Sequence, residues 1–491
     1  MHHAFAVLAT ASLSIGLAAA AAAADMRVVK APVVAAPVAY DWSGFYLGGN
    51  IGYSVARNHD NEFLINPLTT SPQGQAFTLA PAGAVGGGQI GYNWQANGGL
   101  LFGLEADWQW TNQVDSACIS FCIPGGGSLN VEQRLRWLAT ARGRIGYAAN
   151  GWLWYATGGA AWGRTTNSDA MFFNAFRAGS FDHTKSGWTV GGGIETALAG
   201  GWTAKLEYLY VDLGRTRDVL TGFPTPAGSA FETIDQSMHD HIVRVGLNYR
   251  FGAAAAAAPA RIPVYKMPVG AVAFVDWSGL YVGGNVGYGV GRNRGNEFTV
   301  DIGNQSFTLA PAGWVGGGQI GFNWQAAREW VLGVEADWQG SNQRDTVCLD
   351  RCVLPLLSLT SEQKLHWLAT LRGRIGYARA GWLWYLTGGG AWGRVTEDDA
   401  LVFIVPLGSG NFSHTKGGWT VGTGVETALA ANWSAKLEYL YVDLGSTTDI
   451  LLLNNPGGAP TETITKQVRD HIFRVGLNYR FDGNAPVVAK H

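Results

Sequence analysis

Apolar and polar residues alternate one by one along most of this chain. From Leu135 to Tyr147 the odd positions are mostly apolar, while the even positions carry arginine, leucine and threonine. Between Leu101 and Trp110 the alternation places Gly, Glu, Asp and Gln on one face and apolar or aromatic residues on the other. A period of two is that of a β-strand, whose successive side chains point to opposite faces. The pattern therefore predicts strands with one apolar and one charged face.

We predict eight such strands in the first half of the chain, near residues 43–55, 84–96, 100–111, 131–148, 151–164, 185–198, 201–213 and 238–251. The predicted connections are tight at 96–99, 148–151 and 199–201. They are long after Ala56, Thr111, Arg164 and Gly214. Short turns at one end and long loops at the other are typical of a transmembrane barrel.

The second half of the chain repeats the first. RVGLNYRF occurs at Arg244–Phe251 and again at Arg474–Phe481, and DWSGFYLGGN at Asp41–Asn50 returns as DWSGLYVGGN at Asp276–Asn285. EADWQ, RGRIGYA, GWLWY and AWGR all recur at a spacing of 230 residues. A repeat of this length indicates a tandem duplication of a whole module.

The ends of the repeats and the export signal give the predicted domains. The first 24 residues form an apolar run that ends in three alanines, which is typical of a cleaved signal peptide, although this one has no Lys or Arg at its start. We predict a signal peptide at 1–24, a periplasmic Pro/Ala-rich segment at 25–41, a first barrel at 42–251, an Ala/Pro linker at 252–275, a second barrel at 276–481 and a tail at 482–491.

Composition supports a membrane barrel and excludes one class of partner. Only 14% of the 491 residues are charged, with 69 Gly and 21 Trp, yet no internal run reaches the roughly 18 apolar residues of a membrane helix. A formal charge of −2 without a dominant basic patch argues against nucleic-acid binding. GGGQIG at Gly86–Gly91 matches the dinucleotide fingerprint only formally, because it alternates as a strand and no helix follows it. No cofactor is expected.

Alternation alone does not separate a soluble barrel from one that faces lipid. The export signal, the strands DWSGFYLGGNIGY and GGGQIGYNWQ, and a last strand that ends in an aromatic residue resemble the small outer-membrane β-barrel porin family of alphaproteobacteria. The resemblance covers nearly all of both copies. It implies an all-β protein of two tandem, antiparallel, up-and-down transmembrane barrels of eight strands each, in contact with the lipid of a Gram-negative outer membrane.

The resemblance also implies a surface role. Members of that family include abundant surface proteins and some hemin binders. The closing residues Phe251 and Phe481 are similar to the signal that the outer-membrane assembly machinery reads. We expect a structural or surface protein of porin type, with passage of small solutes as a further expectation and binding of hemin or another ligand as the alternative. No nucleophile motif is shared by both copies, so an enzyme is not expected.

A single barrel of sixteen strands is the alternative architecture. Neighbouring strands of one barrel are joined by a short turn, whereas the Ala/Pro-rich stretch between Phe251 and Asp276 is long. Two barrels are therefore the preferred prediction.

Charged positions on the inner faces are the main candidates for function. One interpretation is that ion pairs fill an interior only wide enough for side chains. The other is a narrow polar conduit, favoured by inward glycines such as Gly48, Gly52, Gly91, Gly103 and Gly191. The predicted inward charges are Glu105, Asp107, Arg134, Arg136, Arg142, Arg144, Glu195, Lys205 and Arg244 in the first copy, and Glu335, Asp337, Arg372, Arg374, Glu426, Lys436 and Arg474 in the second.

Cysteines and histidines supply the remaining candidates. Cys118/Cys122 and Cys348/Cys352 each have three residues between them in a predicted outer loop, and in an oxidising envelope such pairs are predicted to form disulfides. Two thiols with no neighbouring histidine do not predict a metal site. His183 and His414 occupy equivalent HTK sequences, where a hemin contact is a further hypothesis.

Overall fold

The computed structural model describes residues 40–65, 73–119, 122, 128–149, 151–173, 175–225, 228–251, 275–299, 303–327, 329–350, 352, 358–379, 381–403, 405–429, 432–452 and 461–481. The predicted signal peptide, nearly all of the 25–41 segment, almost the whole linker and the tail 482–491 lie outside these residues. Those domain boundaries therefore stay predictions.

The described chain is all-β, as the alternation predicts. The strands of the first copy are β1 (Gly44–Ala56), β2 (Asn58–Ile65), β3 (Gln73–Leu79), β4 (Ala82–Gln95), β5 (Leu100–Thr111), β6 (Val114–Ile119), β7 (Ser128–Ala149), β8 (Trp152–Phe173), β9 (Ala175–Ala197), β10 (Trp202–Thr225) and β11 (Gly228–Arg250). The strands of the second copy are β12 (Gly279–Gly291), β13 (Asn293–Thr299), β14 (Gly303–Leu309), β15 (Ala312–Gln325), β16 (Trp330–Asp350), β17 (Ser358–Arg379), β18 (Trp382–Phe403), β19 (Val405–Ala428), β20 (Trp433–Leu452) and β21 (Thr461–Arg480).

Hydrogen-bonded ladders link eight strands of each copy into a closed circuit. In the first circuit each strand pairs antiparallel with the next in the order β1, β4, β5, β7, β8, β9, β10 and β11, and β11 pairs back with β1. The second circuit runs through β12, β15, β16, β17, β18, β19, β20 and β21, and β21 pairs back with β12. Neither circuit has an unpaired edge within these ladders.

The tight connections lie at one end of each circuit. Two short 3-10 turns, Asn97–Gly99 and Ala199–Gly201, join neighbouring strands at the predicted positions. Gly98 and Gly200 take φ values of +83° and +70°, which favour glycine because side chains with a Cβ are strained there. The backbone conformation of these turns therefore explains why glycine stands at both positions.

At the opposite end the prediction of long loops is wrong, because the structure has extended strands there. Where long loops are predicted after Arg164 and Gly214, β8 continues to Phe173 and β10 to Thr225, and each pairs antiparallel with the next strand up to that residue. The predicted loops after Ala56 and Thr111 contain β2, β3 and β6. Polar residues there weaken the alternation in the sequence, but inward-facing apolar residues such as Val131 still give the extensions a core.

Side chains from both copies share that core. β14 pairs with β3 and β6, and β16 pairs with β3, so the extensions of the two copies hydrogen-bond to each other. Their buried apolar cluster contains Phe77, Leu79, Ala117, Ile119, Leu129, Val131, Ile234, Phe307, Leu309, Val347, Leu349, Leu359, Leu401, Leu451 and Ile464.

The prediction that Arg134 and Arg136 face inward is wrong because of a β-bulge. The register between β7 and β8 shifts between Leu135 and Trp137, which reverses the side that alternate residues face. Arg142 and Arg144 point inward, but Arg134 and Arg136, eight residues earlier, point outward. The Arg134 side chain is 42% exposed and pairs with Glu132 on its own strand. Counting by twos fails here because one extra residue shifts the phase.

Candidate functional site: the charged interior of each circuit

A compact set of ion pairs fills the middle of the first circuit. We define the central cluster as Glu105, Asp107, Arg142, Lys205, Glu207 and Arg244, all at most 5% exposed. Its three acids and three bases lie on strands β5, β7, β10 and β11, so that opposite charges meet across the interior. Buried charges in a low-dielectric interior are tolerated only when they are paired in this way.

Arg142 joins the acids of the central cluster. Its guanidinium lies 2.5 Å from Glu105, 2.8 Å from Asp107 and 3.0 Å from Glu207. Arg244 approaches Asp107 from the other side at 2.8 Å and Glu207 at 2.6 Å. Lys205 donates to Glu105 at 2.8 Å. Every acid in the cluster therefore accepts from at least two bases, and the interior is spanned by side chains.

A second layer lies nearer to the tight turns. Arg144 pairs with Glu195 at 3.2 Å and stacks on the Tyr46 and Tyr155 rings, with its guanidinium carbon 4.8 and 5.1 Å from their centroids. The Tyr46 hydroxyl donates to Glu105 at 2.7 Å, which links this layer to the central cluster. The aromatic rings cover the guanidinium and leave little room for water.

The second copy repeats both layers. Arg372 lies 2.5 Å from Glu335, 2.7 Å from Asp337 and 2.9 Å from Glu438. The remaining equivalent contacts join Arg474 to Asp337 and Glu438, Lys436 to Glu335, and Arg374 to Glu426. Apart from Arg134 and Arg136, all the charges predicted to face inward are buried in the two interiors.

The structure adds residues that the sequence interpretation missed. Glu207 and Glu438 accept from the arginines of their clusters, and Tyr46, Tyr155, Tyr281 and Tyr385 donate to cluster carboxylates. The signal for the two glutamates was present, because each lies two positions after an inward lysine. The tyrosines were not recognised because aromatic residues were assigned to the lipid face.

Two of the inward glycines, Gly91 and Gly103, lie directly against polar side chains. A Cβ added at Gly91 would lie 2.1 Å from the Tyr46 hydroxyl, and one at Gly103 would lie 2.5 Å from the Asn93 side-chain oxygen. Distances this short mean that the neighbouring groups already occupy the space. These glycines therefore make room for polar side chains.

Beyond the central cluster, a second buried polar group lies at the end of each circuit remote from the tight turns. We call it the outer cluster. In the first copy it comprises Asn167, Asp169, Asp218 and Gln236, and in the second Glu397, Asp399, Asp449 and Lys466. The candidate hemin histidines border these clusters, with His183 2.5 Å from Asp218 and His414 2.8 Å from Asp449. In each ring Nε2 is engaged with a carboxylate, and a hemin contact stays a prediction.

The cysteines and the closing aromatic residues are placed as follows. Disulfide bonds join Cys118 to Cys122 and Cys348 to Cys352. The backbone N–H of Phe251 donates to the backbone oxygen of Phe45 at 2.8 Å, at the end of the ladder that closes the first circuit, and Phe251 is 53% exposed. Phe481 repeats this arrangement with Leu280 at 2.9 Å. Their recognition by the assembly machinery stays a prediction.

Similarity to known proteins agrees with the duplicated all-β architecture. Residues 9–251 and 253–481 each match the outer membrane protein beta-barrel domain. Over 247 residues the chain is 34% identical to a 31 kDa outer-membrane immunogenic protein of Brucella melitensis, covering 49% of this chain and 98% of that protein. It is 31% identical over 218 residues to a 22 kDa outer membrane protein of Rhizobium leguminosarum, covering 44% of this chain and 82% of that protein.

Solved structures give weaker likenesses. Neisserial surface protein A is 14% identical, with a TM-score of 0.21, over 42% of this chain and 98% of that one. The Pseudomonas putida toluene transporter TodX is 10% identical, with a TM-score of 0.23, over 89% of this chain and 90% of that one. At these scores neither likeness bears on activity.

No helix in the described part of the chain has the length and apolarity needed to cross a membrane. The two domain matches together span most of the sequence, and the relatives named above are outer-membrane proteins. The chain therefore belongs to the outer membrane protein beta-barrel family, carries its domain twice in tandem, and is an outer-membrane protein of a Gram-negative bacterium.

Proposed function

We propose that each eight-strand circuit is a transmembrane barrel with a filled interior, and that the protein is a structural and surface component of the outer membrane. The observation that carries this proposal is the central cluster. Arg142 contacts acids on β5 and β10, on different sides of the first circuit, and Arg372 does the same in the second. An eight-strand barrel has an interior just wide enough for side chains, and here those side chains are paired.

The outward faces support contact with lipid. Leu47, Ile51, Ile90, Leu104 and Ile145 are between 51% and 70% exposed although they are strongly apolar. In water such a surface would drive aggregation, whereas in a bilayer it is the expected lipid-facing band. The inward charges and outward apolar residues thus have the polarity of a membrane barrel.

The closing ladders favour two barrels over one barrel of sixteen strands. β11 pairs with β1 over a continuous register from Tyr46↔Arg250 to Ala56↔Asp240. In a sixteen-strand barrel β11 would pair instead with the second copy's β12. The closing register of β21 on β12 gives the same support.

Single-channel conductance of the refolded protein in a planar bilayer tests this proposal. We expect small or absent current steps, because the ion-paired arginines obstruct both interiors. The double variant Arg134→Ala with Arg136→Ala is the control. Both arginines lie on β7, as Arg142 does, but they face outward, so the current through the unaltered and the variant protein should be the same. Large steps of general-porin size would overturn the proposal in favour of one wide pore.

A further inference from the structure

The outer clusters of the two copies differ in how their acids are neutralised. In the second copy the ammonium of Lys466 lies 2.7 and 2.8 Å from the two carboxylate oxygens of Asp399 and 3.4 Å from Glu397. Oxygens of Glu397, Asp399 and Asp449 lie within 4.8 Å of one another, close enough to hold a metal ion. Lys466 is fully buried, so its ammonium acts as a cation tethered inside the group.

The first copy keeps the oxygens but lacks this ammonium. Gln236 stands where the second copy has Lys466, and Asn167 stands where it has Glu397, at the same spacing of 230 residues. Asp169 and Asp218 keep the two aspartates of the second copy. The substitution therefore removes the ammonium that neutralises the acids of the second copy and leaves side-chain oxygens at the equivalent positions.

Several of these oxygens are buried without a hydrogen-bond partner. Both carboxylate oxygens of Asp169 have none, although this residue is only 1% exposed. The side-chain oxygen of Asn167 and both polar side-chain atoms of Gln236 also have none, and both residues are fully buried. Burying a polar group without a hydrogen-bond partner is unfavourable, so three such side chains in the outer cluster of the first copy indicate a bound partner.

The surrounding charges favour a cationic partner. The buried acids Glu232, Asp218 and Asp60 lie near Asp169, and among the described residues no basic side chain lies within ion-pair distance of the Asp169 carboxylate. Two basic side chains lie beside the outer cluster of the first copy. His183 is engaged with Asp218, and Lys185 donates to the backbone oxygen of Gln236 at 3.3 Å. Among the described residues Lys185 has no carboxylate within ion-pair distance.

We propose that the outer cluster of the first copy is a binding site for a hard divalent cation, Ca²⁺ in particular. The donors are carboxylate oxygens of Asp169 and Asp218 and amide oxygens of Asn167 and Gln236. Carboxylate and amide oxygens, without sulfur or imidazole, are the ligand set of Ca²⁺ rather than of Zn²⁺ or Cu²⁺. Lys466 takes the place of the ion in the second copy, which therefore does not bind one.

Calorimetric titration of the full refolded chain in detergent micelles with CaCl₂ tests the site. We expect one bound Ca²⁺ per chain. Gln236→Lys should abolish binding, because it installs the tethered ammonium of the second copy. Lys466→Gln should have the opposite effect and bring the total to two bound ions, since it frees Glu397, Asp399 and Asp449.

Controls separate this result from weak surface binding. Asp235→Asn removes an acid from the same strand as Gln236, but Asp235 faces outward and pairs with Arg217, so binding should be unchanged. Asp169→Asn, which keeps the side-chain shape, is a second test if Gln236→Lys does not fold, and it should weaken binding at least 10-fold. Absence of Ca²⁺ binding in the unaltered chain, or binding that survives both Gln236→Lys and Asp169→Asn, would overturn the proposal.

Discussion

The two copies agree in the middle of their interiors and differ near the outer end. Arg142 and Arg372 contact their three acids at distances that agree within 0.1 Å, and six residues of matching type form each central cluster. In the outer clusters a lysine replaces a glutamine and a glutamate replaces an asparagine. The central charges must pair for the strands to enclose them, whereas the acids of the outer clusters can be neutralised in more than one way.

The largest expected effect is at the centre. Arg142→Ala with Arg144→Ala should lower the free energy of unfolding by at least about 3–5 kcal/mol, because each substitution leaves buried carboxylates without their partners. Arg372→Ala with Arg374→Ala should cost the same within about 1 kcal/mol. Urea unfolding in micelles, followed by tryptophan fluorescence, measures both. The outward pair Arg134→Ala with Arg136→Ala is the control and should change little.

A clear difference in the free energy of unfolding between the two double variants would contradict the equivalence of the two central clusters. It would mean that equal contacts do not give equal stabilisation. An unchanged unfolding midpoint in both would show that the ion pairs are not a structural core.

Two buried acids at the outer end of the first copy, Asp169 of the outer cluster and its neighbour Asp60, should make stability depend on pH. Burial raises the pKa of Asp60 to about 7 and that of Asp169 to about 8, above the roughly 3.9 of an unfolded aspartate. The folded state therefore holds protons that the unfolded state has released, so the stability is greatest at low pH and falls as pH rises through these values. The charged or titratable groups that face them are Glu62, His183, Lys185, Arg215, Asp218 and Glu232.

In a chelating buffer we expect the free energy of unfolding to fall by several kcal/mol between about pH 5 and pH 9, since each pH unit between a group's unfolded and folded pKa is worth about 1.4 kcal/mol. Asp169→Asn should flatten this dependence, and Ca²⁺ should offset it. A profile that Asp169→Asn leaves unaltered would contradict the assignment. Thermal unfolding at stepped pH provides the measurement.

Glycine spacing in the strands gives a smaller effect that should be equal in the two copies. A Cβ at Gly159 or Gly389 would lie 2.1 Å from a backbone oxygen of the neighbouring strand. Gly159→Ala and Gly389→Ala should each destabilise the fold by about 1–3 kcal/mol, since the strand must move. Gly158→Ala is the control, because its Cβ would lie 3.4 Å from the nearest atom. Equal stability of the Gly158 and Gly159 variants in urea would refute the packing argument.

The smallest expected effect concerns the contacts between the copies, which are reciprocal. Arg57 donates to the backbone oxygen of Ala310 at 2.6 Å, and Arg292 donates to that of Ala80 at 2.7 Å. Because both guanidinium groups are partly exposed, Arg57→Ala and Arg292→Ala should each cost only about 0.5–1.5 kcal/mol. Differential scanning calorimetry would detect a lowered midpoint, and unequal effects would show that the contacts are not equivalent.

Much of the site could be predicted because its signals are local in the sequence. Alternation placed Glu105, Asp107, Arg142 and Arg144 on inward faces, and the same rule, applied to the step from Lys205 to Glu207, would have found the missing glutamate. The rule failed at Arg134 and Arg136, where a bulge shifts its phase. It also failed in the strand extensions, whose core is built partly by the other copy.

The sequence by itself determined most of the strands, the duplication and the face of each predicted charge apart from Arg134 and Arg136, because the two-residue period is a property of the local backbone. Only the tertiary structure decided the partners. Lys205 meets Glu105 from a hundred positions away, and the pairing depends on how far neighbouring strands are staggered when the circuit closes. The same holds for Gln236 and Lys466, which are surface-like residues in the sequence. Their importance comes from the buried acids that closure of the strands places beside them.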